Sequence, residues 1–266
     1  MKFLYNFMHI LAQMLSPINP RESGGGVTFY FFIQIFTIIR DYLKNIGDNL
    51  KKKVAIFVDW DNLRKDIAKI QNYSKYTNEQ SIIDFQKNFD YNNSSHIIKL
   101  IEAFLENDEE IYRIFFYTAK PKNINEIPDV YKTEQDKNNY REYEEKINNF
   151  LKEIVVEPYI ALRLGIIKYG DKLLSNGRLD AKQKQVDMLI GLDIAHVSYL
   201  KLVDKVILFS KDSDMKPVLK VARTNGLTTI IPTLKESKHS VTYPLKLHSD
   251  LIREKSIVEV LNSLKN

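Results

Sequence analysis

The chain has 266 residues, 44% hydrophobic and 27% charged, with a formal charge of +5 and a pI of about 9.0. That is enough for one sizeable domain with an ordinary core, or one domain plus an appendage, and too balanced for wholesale disorder. The lack of cysteine excludes a disulfide framework, cysteine-ligated zinc, an iron–sulfur cluster and a thiol nucleophile, and it is compatible with the cytoplasm. Five scattered histidines argue against a histidine-built metal site, while the mild basic excess fits a polyanionic partner.

The first fifty residues hold two uncharged runs, "FLYNFMHILAQMLSPINP" (3–20) and "VTFYFFIQIFTII" (27–39), separated by "SGGG". A bilayer core needs roughly 20 apolar helical residues. The second run falls short and meets Arg40 and Asp41; the first is broken by Pro17 and Pro20. Neither is followed by a small-residue cleavage site. Three readings stay open for this apolar helical appendage (1–50): packing on the core or on a second subunit in a homo-oligomer, peripheral contact with the inner face of a membrane, or a leader foreign to the native protein.

From Lys51 onward strand-like and helix-like segments alternate, which predicts an α/β domain over 51–256 with a mostly parallel central sheet, followed by a C-terminal helix over 257–266. "VAIFVD" (54–59) reads as a strand buried on both faces. A helix is expected from near Asn62, an irregular Asn-rich insertion over 72–93, a helix over 94–107 and a strand over 111–119. A charged amphipathic helix over 133–154 and a weaker strand over 155–168 follow. Residues 169–185 read as a Gly-punctuated basic loop. A helix over 186–200, a strand over 204–210, a helix stopped by Asn225-Gly226 and a last strand "LTTIIP" (227–232) complete the pattern.

Two of these strands end in acids, Asp59 with Asp61 and Asp212 with Asp214, and a third acid, Asp187, opens a helix. In open parallel sheets, ligands gather outside the carboxyl ends of the strands, so the acids are expected on one rim. Converging carboxylates repel unless protons or a cation intervene. Hard divalent ions such as Mg²⁺ or Mn²⁺ take oxygen ligands and can neutralise charge on a phosphodiester under attack by water. Each acid alone could equally be a helix cap; the signal is the set. Asp193, six residues after Asp187, lies about 240° round the helix and is expected to be supporting or structural.

The set resembles the NYN domains, the LabA-like branch of the PIN-like nuclease superfamily. "IFVDWDNL" is similar to the family's strand ending in D-x-x-N, through Asp59 and Asn62. "KQKQVDMLIGLD" is similar to its K-G-V-D-x-x-L-x-x-D helix start, through Lys184, Val186, Asp187 and Asp193. "VILFSKDSDMKPVLKVARTNG" is similar to its S-G-D-S-D-F-x-P-L segment, through Ser210, Asp212, Ser213, Asp214 and Pro217. The resemblance implies a Rossmann-like, PIN-like three-layer α/β/α sandwich and metal-dependent cleavage of RNA. It also implies Mg²⁺ or Mn²⁺ bound by Asp59, Asp187, Asp212 and Asp214, with Asn62 orienting Asp59 or a phosphate, and Ser210 and Ser213 donating to phosphate. Asp61 falls to a supporting or capping role. Lys211 and Gln185 stand where the family has glycines, and Lys211 brings a cation to the rim.

Arg178, Lys182 and Lys184 are expected as a phosphate-contacting lip beside Asp187. Trp60 reads as core more readily than as a base-stacking ring. A haloacid-dehalogenase phosphatase, suggested by "DWDNL", fails at Asn62 and Leu63 and leaves Asp187 idle. The remaining alternative is a regulatory module of the same family that binds RNA or protein without cutting.

Overall fold

The computed structural model describes Thr37, Ile39 and residues 51–131, 133–174 and 179–265. Apart from Thr37 and Ile39, the first fifty residues on which those readings rest lie outside the described residues, as does Arg178. Among the described residues, no helix is long and apolar enough to cross a membrane.

The run Lys52–Asp59 forms β1, and it is followed at once by α1 (Trp60–Tyr73). Alternate β1 side chains enter two separate cores: Val54, Ile56 and Val58 face one, Ala55 and Phe57 the other. A strand with both faces covered is the mark of a parallel sheet between helical layers. The chain continues through α2 (Gln80–Asn88), α3 (Ser94–Glu102), β2 (Glu109–Ala119), α4 (Glu134–Ile154), β3 (Ile160–Leu173) and β4 (Leu179–Lys184). It ends through α5 (Val186–Tyr199), β5 (Lys205–Phe209), α6 (Lys216–Thr224), β6 (Thr228–Leu234), α7 (Tyr243–His248), β7 (Leu251–Lys255) and α8 (Ile257–Ser263).

The sheet order is β4-β3-β2-β1-β5-β6-β7, parallel except for the antiparallel edge pair β3–β4. Helices α1, α2, α3, α4 and α8 supply the first core; α5, α6 and α7 supply the second. The protein is therefore the expected three-layer α/β/α sandwich. Helix α1 shows the local logic: Leu63, Ile67 and Ile70 recur at helical spacing and are all buried, each worth about 1.5–3 kcal/mol against exposure.

Three expectations are corrected. The polar stretch 72–93 contains α2, because Ile82, Phe85 and the following Phe89 recur on one face and are buried, with Phe85 and Phe89 stacked at 4.7 Å. A seventh strand, β7, extends the sheet beyond "LTTIIP". The supposed loop 169–185 instead continues β3 and supplies β4. At the base of that pair a Cβ on Gly165 would meet Lys184 O at 2.6 Å and Val186 Cγ2 at 2.7 Å. Glycine thus lets β3 lie against the start of α5, which carries Asp187.

Candidate active site

Asp59 is the last residue of β1 and the N-cap of α1: its Oδ1 accepts from the Asn62 amide at 3.2 Å. Capping therefore falls to Asp59 rather than Asp61. The Ser210 hydroxyl donates to Asp59 Oδ2 at 3.4 Å and accepts from the Asp212 amide at 3.3 Å. Asp212 Oδ1 in turn accepts from the Asp214 amide at 2.9 Å, and Asn62 Oδ1 accepts from the Lys211 amide at 3.3 Å. These bonds splice the end of β1 to the end of β5, its sheet neighbour. Asp187 sits in the first turn of α5, whose N-cap, Gln185, holds the left-handed φ of 72° that a glycine would take without strain.

The acids feel one another. Burial pushes Asp59 up to about 6; the Asn62 amide opposes this, and the charges of Asp187 and Asp61 add to it. Burial also raises Asp187, and Asp212 and Asp214 raise it further against the pull of Lys184. For Asp61 burial is outweighed by Lys65, at 2.6 Å, and Arg64, at 3.0 Å, which hold its carboxyl below the usual range. Asp59, Asp61, Asp187 and Asp212 line one open cleft of about 290 Å³. Lys65, Lys69 and His239 line it as well, and Lys184 lies beside Asp187.

Among the described residues, no three acidic or histidine side chains already stand close enough to hold one ion. The donor set still suits a hard divalent cation, which usually keeps several waters and takes only one or two carboxylates directly. Mutual repulsion of Asp59 and Asp187 supplies the incentive, since a cation between them relieves it.

The other predicted residues take the following places. Lys211 is buried: its ammonium donates to Asp66, to Ser237 Oγ at 2.9 Å and to His239 O at 2.6 Å. All three ammonium hydrogens are spoken for, so Lys211 fastens the loop after β6 and offers no cation to a phosphate. Ser210 is 2% exposed and supports Asp59. Ser213 and Asp214 are exposed in the turn before α6. Lys182 is exposed on β4, outside the set of residues that line the cleft. Asp193 accepts from Tyr117 Oη at 2.8 Å and Arg163 Nε at 3.0 Å, a tie between α5, β2 and β3. Trp60 is buried against Phe116 and Phe150.

Lys65, Lys69 and His239 also line the cleft, though the sequence does not single them out. Lys65 and Lys69 are four residues apart on one face of α1, a spacing that could have flagged them. No local signal marks His239; only the folded loop brings it to the cleft.

A family model described as the NYN domain matches residues 53–247. The chain belongs to the NYN domain family. NYN domains are generally PIN-like nucleases. No curated protein matches the chain. Among solved structures it is similar to a protein of unknown function from Vibrio parahaemolyticus RIMD 2210633, with 16% identity, 77% of this chain and 94% of that one covered, and a TM-score of 0.38.

Proposed function

We propose that this NYN domain is a metal-dependent endoribonuclease that hydrolyses phosphodiesters by direct attack of water, without a covalent enzyme intermediate. The observation that carries the reading is the cleft itself: acids from the ends of β1 and β5 and the start of α5 line it together with Lys65, Lys69 and Lys184. The acids suit a divalent ion and the lysines suit a polyanion. The family supports the same reading.

Asp59, Asp187, Asp212 and Asp214 would hold Mg²⁺ or Mn²⁺. When bound, the ion supplies Lewis-acid stabilisation of the phosphoryl oxygens and a water of lowered pKa. The Asn62 amide and the Ser210 hydroxyl, both donating to Asp59, favour its ionised form and fix its direction. Lys69 and Lys184 are exposed at the cleft and take the phosphates flanking the scissile bond, contacts that give affinity without sequence choice. Asp61 is neutralised by Arg64 and Lys65 and stays outside the chemistry.

That division is testable by steady-state cleavage of a labelled RNA. Asp59→Asn is expected to cost about 100-fold or more in kcat/KM, the scale of several kcal/mol of lost charge stabilisation. Asp61→Asn is expected to stay within about threefold, under 1 kcal/mol. Equal losses in the two variants would refute the assignment. A protein that binds RNA equally well in both, with no metal-dependent product, would be the non-cleaving regulatory module.

A further inference from the structure

Next to the cleft, β3 and β4 leave the sheet. Asp59 is level with Tyr117 of β2, and Tyr117 with Arg163 of β3. Strand β2 pairs with β3 only as far as Gly165; from Ile166 to Leu173, β3 is paired with β4 alone. The two strands therefore form a ribbon that stands past the carboxyl rim on which the acids sit.

The faces of this ribbon differ. Residues opposite one another in an antiparallel pair share a face. Ile167 opposite Gln183 and Tyr169 opposite Ala181 occupy one face, where the Tyr169 hydroxyl lies 3.0 Å from that of Tyr140. The other face carries Ile166 opposite Lys184 and Lys168 opposite Lys182, all four exposed. Like charges directly opposite one another destabilise a strand pair. Among the described residues, no carboxylate makes an ion pair with Lys168, Lys182 or Lys184. Further out, Asp180 closes the row: its Oδ2 would lie 3.1 Å from a Cβ on Gly170.

An exposed lysine row that begins at the cleft, where Lys184 feels Asp187, and stops at a carboxylate suits an anion of the same reach. Successive residues on one face of a strand are about 7 Å apart, the scale on which phosphates follow one another in an extended single strand. Leu164 and Ile166, each nearly half exposed, put apolar surface beside the lysines for bases or sugars. We propose that this face is a backbone-binding arm: a single-stranded RNA lying across the acidic cleft continues onto the ribbon, its phosphates passing Lys184 and then the Lys168–Lys182 pair. The direction of the strand rests on the nuclease reading; the charge and exposure of the arm do not.

The test uses the full chain in chelator, with fluorescent single-stranded RNAs of three and ten nucleotides. Wild type is expected to bind the ten-mer at least about tenfold more tightly. Lys168→Ala is expected to weaken ten-mer binding about fivefold at 0.1 M salt and to reduce the slope of log K against log[salt] by about 0.7, the contribution of one charge on a single strand. Lys168→Glu places opposite charges across the ribbon, so its melting temperature should hold or rise while ten-mer affinity falls further. Asp180→Asn should bind the ten-mer more tightly than wild type. Indifference of ten-mer binding to both Lys168 substitutions, or equal affinity for the two lengths, overturns the arm. A parallel cleavage assay of wild type with Mn²⁺ separates the two readings. Cleavage with an indifferent ribbon removes the arm alone; a responsive ribbon without cleavage keeps the arm and removes the nuclease.

Discussion

Replacement of Asp59 by asparagine is expected to raise the melting temperature of the metal-free protein at pH 7 by several degrees, in the same variant that loses activity. Burial and the charges of Asp187 and Asp61 lift this carboxyl to about 6 from an ordinary 3.8. A carboxyl with a raised folded-state pKa binds its proton more tightly folded than unfolded, so its ionisation opposes folding. The cost is absent below the unfolded value and grows as pH rises from about 4. It is complete above about 6, where it is worth roughly 3 kcal/mol. Asparagine removes the charge and keeps an acceptor for the Asn62 amide. A gain of about 1–3 kcal/mol, or roughly 3–8 °C for a domain of this size, should be present at pH 7 and shrink toward pH 4. Thermal melts of both proteins in chelator across that range check it. A variant less stable than wild type at pH 7 would mean that Asp59 is held by attraction, and the picture of a strained acidic cleft would fail. Strain of this kind is commonly stored where function requires it.

The opposite behaviour is expected of Glu109, at the amino end of β2. Its side chain is fully buried, bonded by Arg253 Nη1 and Nη2 at 2.8 and 2.9 Å and by Lys205 Nζ at 2.8 Å. Burial would raise its pKa, but Arg253 and Lys205 outweigh it and hold the carboxyl down to about 2. Arg253 also donates to Phe104 O at 2.6 Å, so the cluster ties β2, β5, β7 and the end of α3 together. Glu109→Ala removes the buried counter-charge of two cations with little water, leaving them only the longer pairs Lys205–Asp108 at 3.5 Å and Arg253–Glu106 at 3.6 Å, a loss of about 3 kcal/mol. Because the folded pKa is depressed, the contribution is present above about 4.5 and is lost as pH falls toward 2. Urea unfolding at pH 7 reads the loss directly. A change below 1 kcal/mol would show that the pair contributes no more than a surface bridge does.

What the sequence made legible was set by how far each feature depends on its neighbours in the chain. β1, β2, β5 and β6 are short apolar runs, and a strand buried on both faces needs no partner to be visible as one. β4 was invisible because "LDAKQK" lies at a sheet edge with only Leu179 buried; the Asn176-Gly177 dipeptide before it is a hairpin signal that went unused. Helix α2 hid because asparagines surround its two buried residues, Ile82 and Phe85, and the Phe89 that follows them. The acids could be placed on one rim because topology alone sends strand ends there. Side-chain direction could not be read in the same way. Lys211 belongs to the acidic motif in sequence, yet its ammonium turns inward to Asp66, 145 residues away along the chain. His239 reaches the cleft through the loop that Lys211 fastens.

Metal-dependent RNA cleavage is tested by incubating wild type and Asp212→Asn with mixed single-stranded RNAs and DNAs in Mn²⁺, in Mg²⁺ and in chelator. RNA fragments are expected from wild type in at least one of the two metals and none in chelator, with a loss of about 100-fold or more in Asp212→Asn. RNA cleaved equally well in chelator, or equally well by Asp212→Asn, would contradict a metal-dependent nuclease at this cleft.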